Sequence, residues 1–199
     1  MNRLMKMFVG ITITSFGIAA VLNSNLGCFV NTATYKGISL RLGVPLFVIN
    51  IAFELIMIAI ATYYGEGLGW TTITNATYGA VMINVFHKLL PYSSPTLALI
   101  GVFILPIGWS TLEKARYGAT GSNILMKALM NKTHKSMFLI RTLIDSSFLI
   151  LALIFSRQYV TLFSIVLTFI CPLILTIEYR LIHYKPTDVT HDFIIEKRN

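Results

Sequence analysis

Glu54 and Asp145 are the residues of this chain that most need explaining. Each lies near the centre of a long apolar run, with Phe53 and Leu55 around the first and Ile144 and Ser146 around the second. A charged side chain at the middle of a membrane-spanning helix costs about 2.5–3.5 kcal/mol on insertion scales, so it must face a partner or a wet cavity. Asn50 precedes Glu54 by four residues and Arg141 precedes Asp145 by four, a spacing that puts each pair on one helix face. Arg141 can neutralise Asp145 within its own helix. Glu54 has only neutral Asn50, so it must find a basic partner elsewhere or hold a proton. Two chemistries fit such acids. They mark a proton, ion or substrate pathway, or they form a buried polar clamp between helices.

A second set is small and polar. Asn31 and Thr32 follow Cys28, Phe29 and Val30, and Ser122 and Asn123 follow Ala119, Thr120 and Gly121. At the start of a short helix such residues could present backbone N–H groups to an anion, or simply cap an interfacial helix. Asn75 stands among Thr71, Thr72, Thr74 and Thr77, which makes that stretch unusually polar for an apolar segment. A wet face explains this, and so does hydrogen bonding between helices.

The elements that position these residues are set by composition. The chain has 199 residues, 55% hydrophobic and only 12% charged, about half the charged fraction of a soluble domain. No Asp, Glu, Lys or Arg occurs between Lys6 and Lys36, and four further long runs are equally free of charge. A spanning helix needs about 20 mostly apolar residues, and five such runs cannot all be buried in so short a chain. The expected architecture is all-α and integral to the membrane, with six spans at about 7–25, 44–64, 69–90, 95–112, 136–156 and 159–180. Gly65, Gly67 and Gly69 supply the turn between the second and third. Pro106 and Pro172 fall inside the fourth and sixth and should kink them. Residues 27–43 and 118–135 are too polar or too short to span, and each is expected to be a short re-entrant or interfacial helix. Trp70, Trp109, Tyr63, Tyr64, Tyr92 and Tyr159 fall near span ends, as interfacial anchors do.

Sliding the chain by 91 residues aligns Gly10 with Gly101, Gly17 with Gly108, Gly27 with Gly118, Lys36 with Lys127, Phe47 with Phe138, Ile49 with Ile140 and Ala61 with Ala152, and brings Glu54 onto Asp145. A one-residue shift then brings Thr71 onto Thr161. The expected units are a first membrane repeat at 1–91, a second at 92–184, and a flexible cytoplasmic tail at 185–199. Three spans per copy is an odd number, so the second copy enters from the opposite side, the inverted-repeat plan of many secondary transporters. With the N-terminus inside, twelve basic residues fall on the cytoplasmic side and four (Lys36, Arg41, Lys88 and Arg157) outside. That bias predicts a plasma-membrane protein with both termini cytoplasmic.

The run Glu113 to Gly118, then Ser122 to Met126 and Ser136 to Asp145, resembles the YczE/YyaS/YitT-like family of bacterial multi-pass membrane proteins. Leu26-Gly27 and the stretch Trp70 to Ala76 carry the resemblance into the first copy, so that it covers about residues 8–178. The family pattern has a Pro-x-Asp element after the Leu-Gly. Here Thr32 and Asn123 stand at the acidic positions and the prolines are absent, whereas the Arg-x-x-x-acid element is kept as Arg141 and Asp145. The resemblance implies a multi-pass fold and a suspected role in transport, with no named substrate.

No phosphate loop, zinc-protease motif or nucleophile elbow is present, so no enzyme is expected. The four histidines and the two cysteines, Cys28 and Cys171, show no metal-ligand spacing, and neither metal nor cofactor is expected. A net charge of +8 is accounted for by the cytoplasmic face of a membrane protein rather than by nucleic acid. The expected function is a small secondary transporter or permease-like protein acting on an unidentified small molecule. Its pathway residues are Glu54, Asp145, Arg141, Asn50, Asn31, Thr32, Asn123 and Asn75. A titratable acid within a span brings proton coupling into question, and six spans are few to enclose a path, which points to a homodimer. The competing reading is a non-transporting accessory or regulatory protein that holds a partner through its basic cytoplasmic loop.

Overall fold

The computed structural model describes residues 2–91, 94–181 and 193–195. Within these the chain is all-α apart from one short antiparallel pairing of Leu68–Gly69 with Phe193–Ile195. Five helices are long and apolar enough to cross a membrane: α1 (Arg3–Leu22), α3 (Leu46–Tyr63), α6 (Pro95–Glu113), α8 (Met137–Phe155) and α9 (Leu162–Leu181). They agree with five of the expected spans to within a few residues. Pro106 and Pro172 lie inside α6 and α9.

The expected span at 69–90 differs. It is helical from Trp70 to Leu89, but α4 (Trp70–Thr74) gives way to one π turn at Asn75–Gly79 before α5 (Ala80–Leu89) resumes. Of the polar residues noted there, Asn75 and Thr77 lie in the π turn, and Thr71, Thr72 and Thr74 lie in α4 before it. The π turn swings Tyr78 toward α1, where its hydroxyl lies 3.2 Å from Thr12 Oγ1, and Ser15 Oγ donates to the Gly79 carbonyl at 3.2 Å. Twenty helical residues cover about 30 Å at 1.5 Å each.

The centre of the molecule is the contact of α1 with α6. Gly10 lies against Gly108 and Leu112, and Gly17 lies against Gly101 and Leu105. A Cβ on Gly101 would come within 2.6 Å of the Gly17 carbonyl oxygen, and one on Gly10 within 2.9 Å of the Leu112 nitrogen. Only residues without a side chain let two backbones approach so closely. As residue numbers rise along α1 they fall along α6, so the two helices run antiparallel. Gly10 and Gly17 are seven residues apart and hence share one helix face.

Two half-length helices flank this crossing. In α2 (Val30–Leu42), Thr34 Oγ1 donates to the Phe148 carbonyl at 2.9 Å and Arg41 Nη2 to that of Ile154 at 2.9 Å. It therefore runs parallel to the second half of α8. In α7 (Gly121–Thr133), Gly121 N–H meets Glu54 at the middle of α3, while Asn131 bonds Glu66 just past the end of α3. So α7 runs parallel to the second half of α3. Both half-helices begin at mid-depth in the bundle and return to the side from which their chain entered.

The outward faces carry Leu55, Ile56 and Ile60 of α3, Phe103 and Ile107 of α6, and Ile150 and Ile154 of α8, all exposed. Bands of exposed aliphatic side chains on long apolar helices match a hydrocarbon surround, and the protein is a multi-pass membrane protein. Trp70 and Tyr63 are exposed as interfacial anchors would be, but Trp109 is buried. It faces the α1 and α8 side of α6, so the anchor expectation is corrected for that residue. Tyr92 lies outside the described residues, as does most of the expected flexible tail at 185–199. Of the tail, Phe193–Ile195 is described, paired with Leu68–Gly69.

Candidate functional site

A cavity of about 420 Å³ opens beside α1, α2, α3 and the π turn. Five residues expected on a pathway line it: Asn31, Thr32, Asn50, Glu54 and Asn75. They come from three separate segments, and only Asn50 and Glu54 were joined by sequence spacing. The cavity runs from Glu54, at the middle of α3, toward the ends marked by Leu22 of α1, Pro45–Phe47 at the start of α3 and Asn84 of α5. These ends lie at one face of the bundle, because α1 and α5 run parallel there. Asn23 Nδ2, just past α1, donates to the His87 and Leu90 carbonyls at 2.9 and 3.0 Å.

Glu54 is fixed by α7. Its Oε2 accepts the Gly121 N–H at 2.8 Å, at the first residue of that helix. The first N–H groups of a helix have no intrahelical partner, and they carry the positive end of its dipole. A carboxylate satisfies both. A Cβ at position 121 would meet Glu54 Oε2 and push the carboxylate off this helix end. The sequence led to a choice between a basic partner and a proton for Glu54. The structure supplies a third partner, a backbone helix end.

The counterpart site around Asp145 is organised differently. Arg141 Nε donates to Asp145 Oδ2 at 3.2 Å, and its Nη1 donates to Ser122 Oγ at 3.2 Å and Asn123 Oδ1 at 3.0 Å. The guanidinium also stacks 4.7 Å from the centre of the Trp109 ring, a favourable placement of a cation on an indole face. Asn123 in turn donates to Glu113 Oε1 at 3.4 Å. Glu113 Oε2 is paired with Lys127 Nζ at 2.6 Å, and those side chains are 1% and 5% exposed. A continuous polar chain therefore runs Asp145–Arg141–Asn123–Glu113–Lys127 through the packed interior. Beside it is a void of about 30 Å³, touched by Asn31, Trp109, Arg141, Asp145 and Cys171, little more than a water molecule occupies.

Sequence reasoning missed Glu113, Lys127 and Trp109. Lys127 was counted as a cytoplasmic base. Its partner is fourteen residues away across a turn, a separation that no helical period connects, so the sequence carried no signal for the pair. Cys28 and Cys171 are buried and unbonded, which agrees with small apolar residues. No group of three or more His, Cys, Asp or Glu suited to a metal occurs among the described residues. His183 and His191 lie outside them.

Comparison with known proteins adds one match. The family model described as "Family of unknown function (DUF6198)" matches residues 1–182. No curated protein and no solved structure matches the chain.

Proposed function

We propose that this chain, which belongs to the DUF6198 family over residues 1–182, is a small permease that binds a solute at Glu54 and works by alternating access. The observation that carries this reading is the cavity of about 420 Å³ that reaches Glu54 from one face of the bundle. An accessory protein using its acids as a clamp would have both of them sealed. Here Glu54 reaches the large cavity, whereas Asp145 touches a void of about 30 Å³.

The arrangement has the internal symmetry that alternating access exploits. A shift of 91 residues exchanges Gly10 with Gly101 and Gly17 with Gly108, so each contact of the α1–α6 crossing maps onto another contact in it. The same shift carries the α3–α7 pairing onto the α8–α2 pairing. The Tyr117 carbonyl accepts from Thr71 N at 2.9 Å, and its equivalent, that of Leu26, accepts from Thr161 Oγ1 at 2.6 Å. Symmetry-related helices that run antiparallel are related by an axis across them, which for spans lies in the membrane plane. On this reading Trp70–Leu89 is the sixth span, the counterpart of α9, and residues 1–91 and 92–184 are inverted repeats. The bound solute sits at mid-depth, where both half-helices begin. The N-terminus and the α6–α8 connection are cytoplasmic, by the basic bias. Taking buried Lys127 and Arg141 out of the count still leaves ten against four.

Cysteine labelling tests both orientation and alternation in a Cys28→Ala/Cys171→Ala background. An impermeant thiol reagent should label Asn50→Cys and Ser94→Cys in intact cells, and Lys132→Cys only after permeabilisation. Met126, which the 91-residue shift places opposite Tyr35 and which is fully buried, should become reactive as Met126→Cys from the cytoplasmic side, slowly. A position 126 inert from both sides while position 50 labels freely would sink alternating access.

A further inference from the structure

The chemistry of the cavity wall defines what it can hold. Among the lining residues Glu54 is the one Asp, Glu, Lys or Arg. The other buried charges near mid-depth are matched: Lys127 with Glu113, and Arg141 with Asp145. Glu54 meets no cation within ion-pairing distance among the described residues. Its Oε2 takes the Gly121 N–H, which leaves Oε1 for the cavity.

A second group points the same way. Thr120, the residue before Gly121, lines the cavity, is 4% exposed, and its Oγ1 has no hydrogen-bond partner. A buried hydroxyl without a partner loses its hydration and gains nothing in exchange. Asn50 and Asn75 add carboxamides to the same wall, as does Asn31, whose oxygen accepts the Thr32 N–H at 2.8 Å, while Tyr35, Phe47 and Trp109 add aromatic surface.

We infer that the solute is a small organic monocation, a primary ammonium on an apolar body, whose N–H groups are received by Glu54 Oε1 and Thr120 Oγ1. A primary ammonium brings three donors and one positive charge, which suits two oxygens and one unmatched negative charge. An anion would meet Glu54 while Arg141, the base whose charge reaches Glu54, is already paired with Asp145. A bare inorganic cation would need several oxygens converging at about 2–2.6 Å, and a cavity of about 420 Å³ lined in part by aromatic rings is far too wide for that. It suits an ion with an apolar body, whose rings or chains lie on Tyr35 and Phe47.

This inference rests on the cavity being the solute site, so the test separates binding from transport. Binding to the purified protein in detergent is measured by calorimetry with three isosteric probes: phenethylammonium, phenethyl alcohol and phenylacetate. Phenethylammonium should bind at least tenfold more tightly than either of the others. Glu54→Gln should lower its affinity at least tenfold and leave that for the alcohol unchanged. Thr120→Val, which leaves the Glu54–Gly121 contact intact, should lower it several-fold and keeps the test available if Glu54→Gln does not fold. Equal or better binding of the alcohol or the carboxylate overturns the inference. So does an ammonium affinity indifferent to Thr120→Val, or no binding of any probe. Uptake of labelled phenethylammonium by proteoliposomes is the separate arm. Binding without uptake leaves the ammonium site standing and removes the permease, whereas saturable uptake of the alcohol with no preference for the ammonium does the reverse.

Discussion

Glu54 and Asp145 fall on each other under the 91-residue shift, yet one faces a cavity of about 420 Å³ and the other a void of about 30 Å³. The 91-residue shift shows why. Asn50 in the first half becomes Arg141 in the second, Thr32 becomes Asn123, and Leu22 becomes Glu113. In the first half these positions are neutral, and an open space remains between them. In the second half they are a guanidinium, a carboxamide and a carboxylate that join across the same space, with Lys127 completing the chain. On the proposed repeat, the open and the filled side differ in these three side chains and in the backbone, since the π turn at Asn75–Gly79 lines the cavity whereas α9 is one continuous α-helix. The filled side is also the more fragile, because every member of a desolvated polar chain depends on the next.

The comparison breaks most visibly at Lys127. Lys127→Met removes the cation paired with buried Glu113, and about 3–5 kcal/mol of stability should be lost, read by SDS-titrated unfolding in mixed micelles. Adding Glu113→Gln should restore most of that loss. If the double variant is no better than the single, the pair is not the unit described here. Asp145→Asn comes next. It strands the Arg141 guanidinium between Ser122 and Asn123, at a cost of about 3 kcal/mol, and poor expression should accompany it.

The α1–α6 crossing offers a symmetric control. Gly17→Val and Gly108→Val each force a side chain against backbone, and overpacking of this kind costs about 1–3 kcal/mol. Because the two positions are equivalent, their losses should be similar in the same unfolding assay. A large loss at one and none at the other would mean that the crossing is not two-fold. The smallest effect on stability belongs to Glu54→Gln. Its amide oxygen can still accept from Gly121 and no cation is orphaned, so the loss should stay below about 1.5 kcal/mol. A loss as large as that of Asp145→Asn would show that Glu54 is a clamp like its counterpart, and the contrast between the halves would disappear.

The position of Arg141 beside Asp145 was legible because a four-residue separation on a helix is a local fact. The fate of Glu54 was not, since its partner is the end of a helix 67 residues further on. Trp109 misled for a related reason. An aromatic residue near a span end is an anchor if it faces lipid and a packing residue if it faces the bundle, and an apolar helix looks the same from both sides. In a membrane the surround is as apolar as the core, so hydrophobic periodicity does not separate the two faces.

The long apolar runs, the glycine register and the matched acids follow from the sequence by itself. Hydrocarbon demands about 20 consecutive apolar residues of any helix that crosses it, and two backbones can cross closely only at glycine, so both requirements are written locally in the chain. What only the tertiary structure decided is the depth at which α2 and α7 begin, the pairing of Glu113 with Lys127, and which of two equivalent acids meets an open space. These are contacts between helices distant in sequence. Their geometry depends on how the whole bundle packs, and a single helix carries no record of the neighbour it will meet.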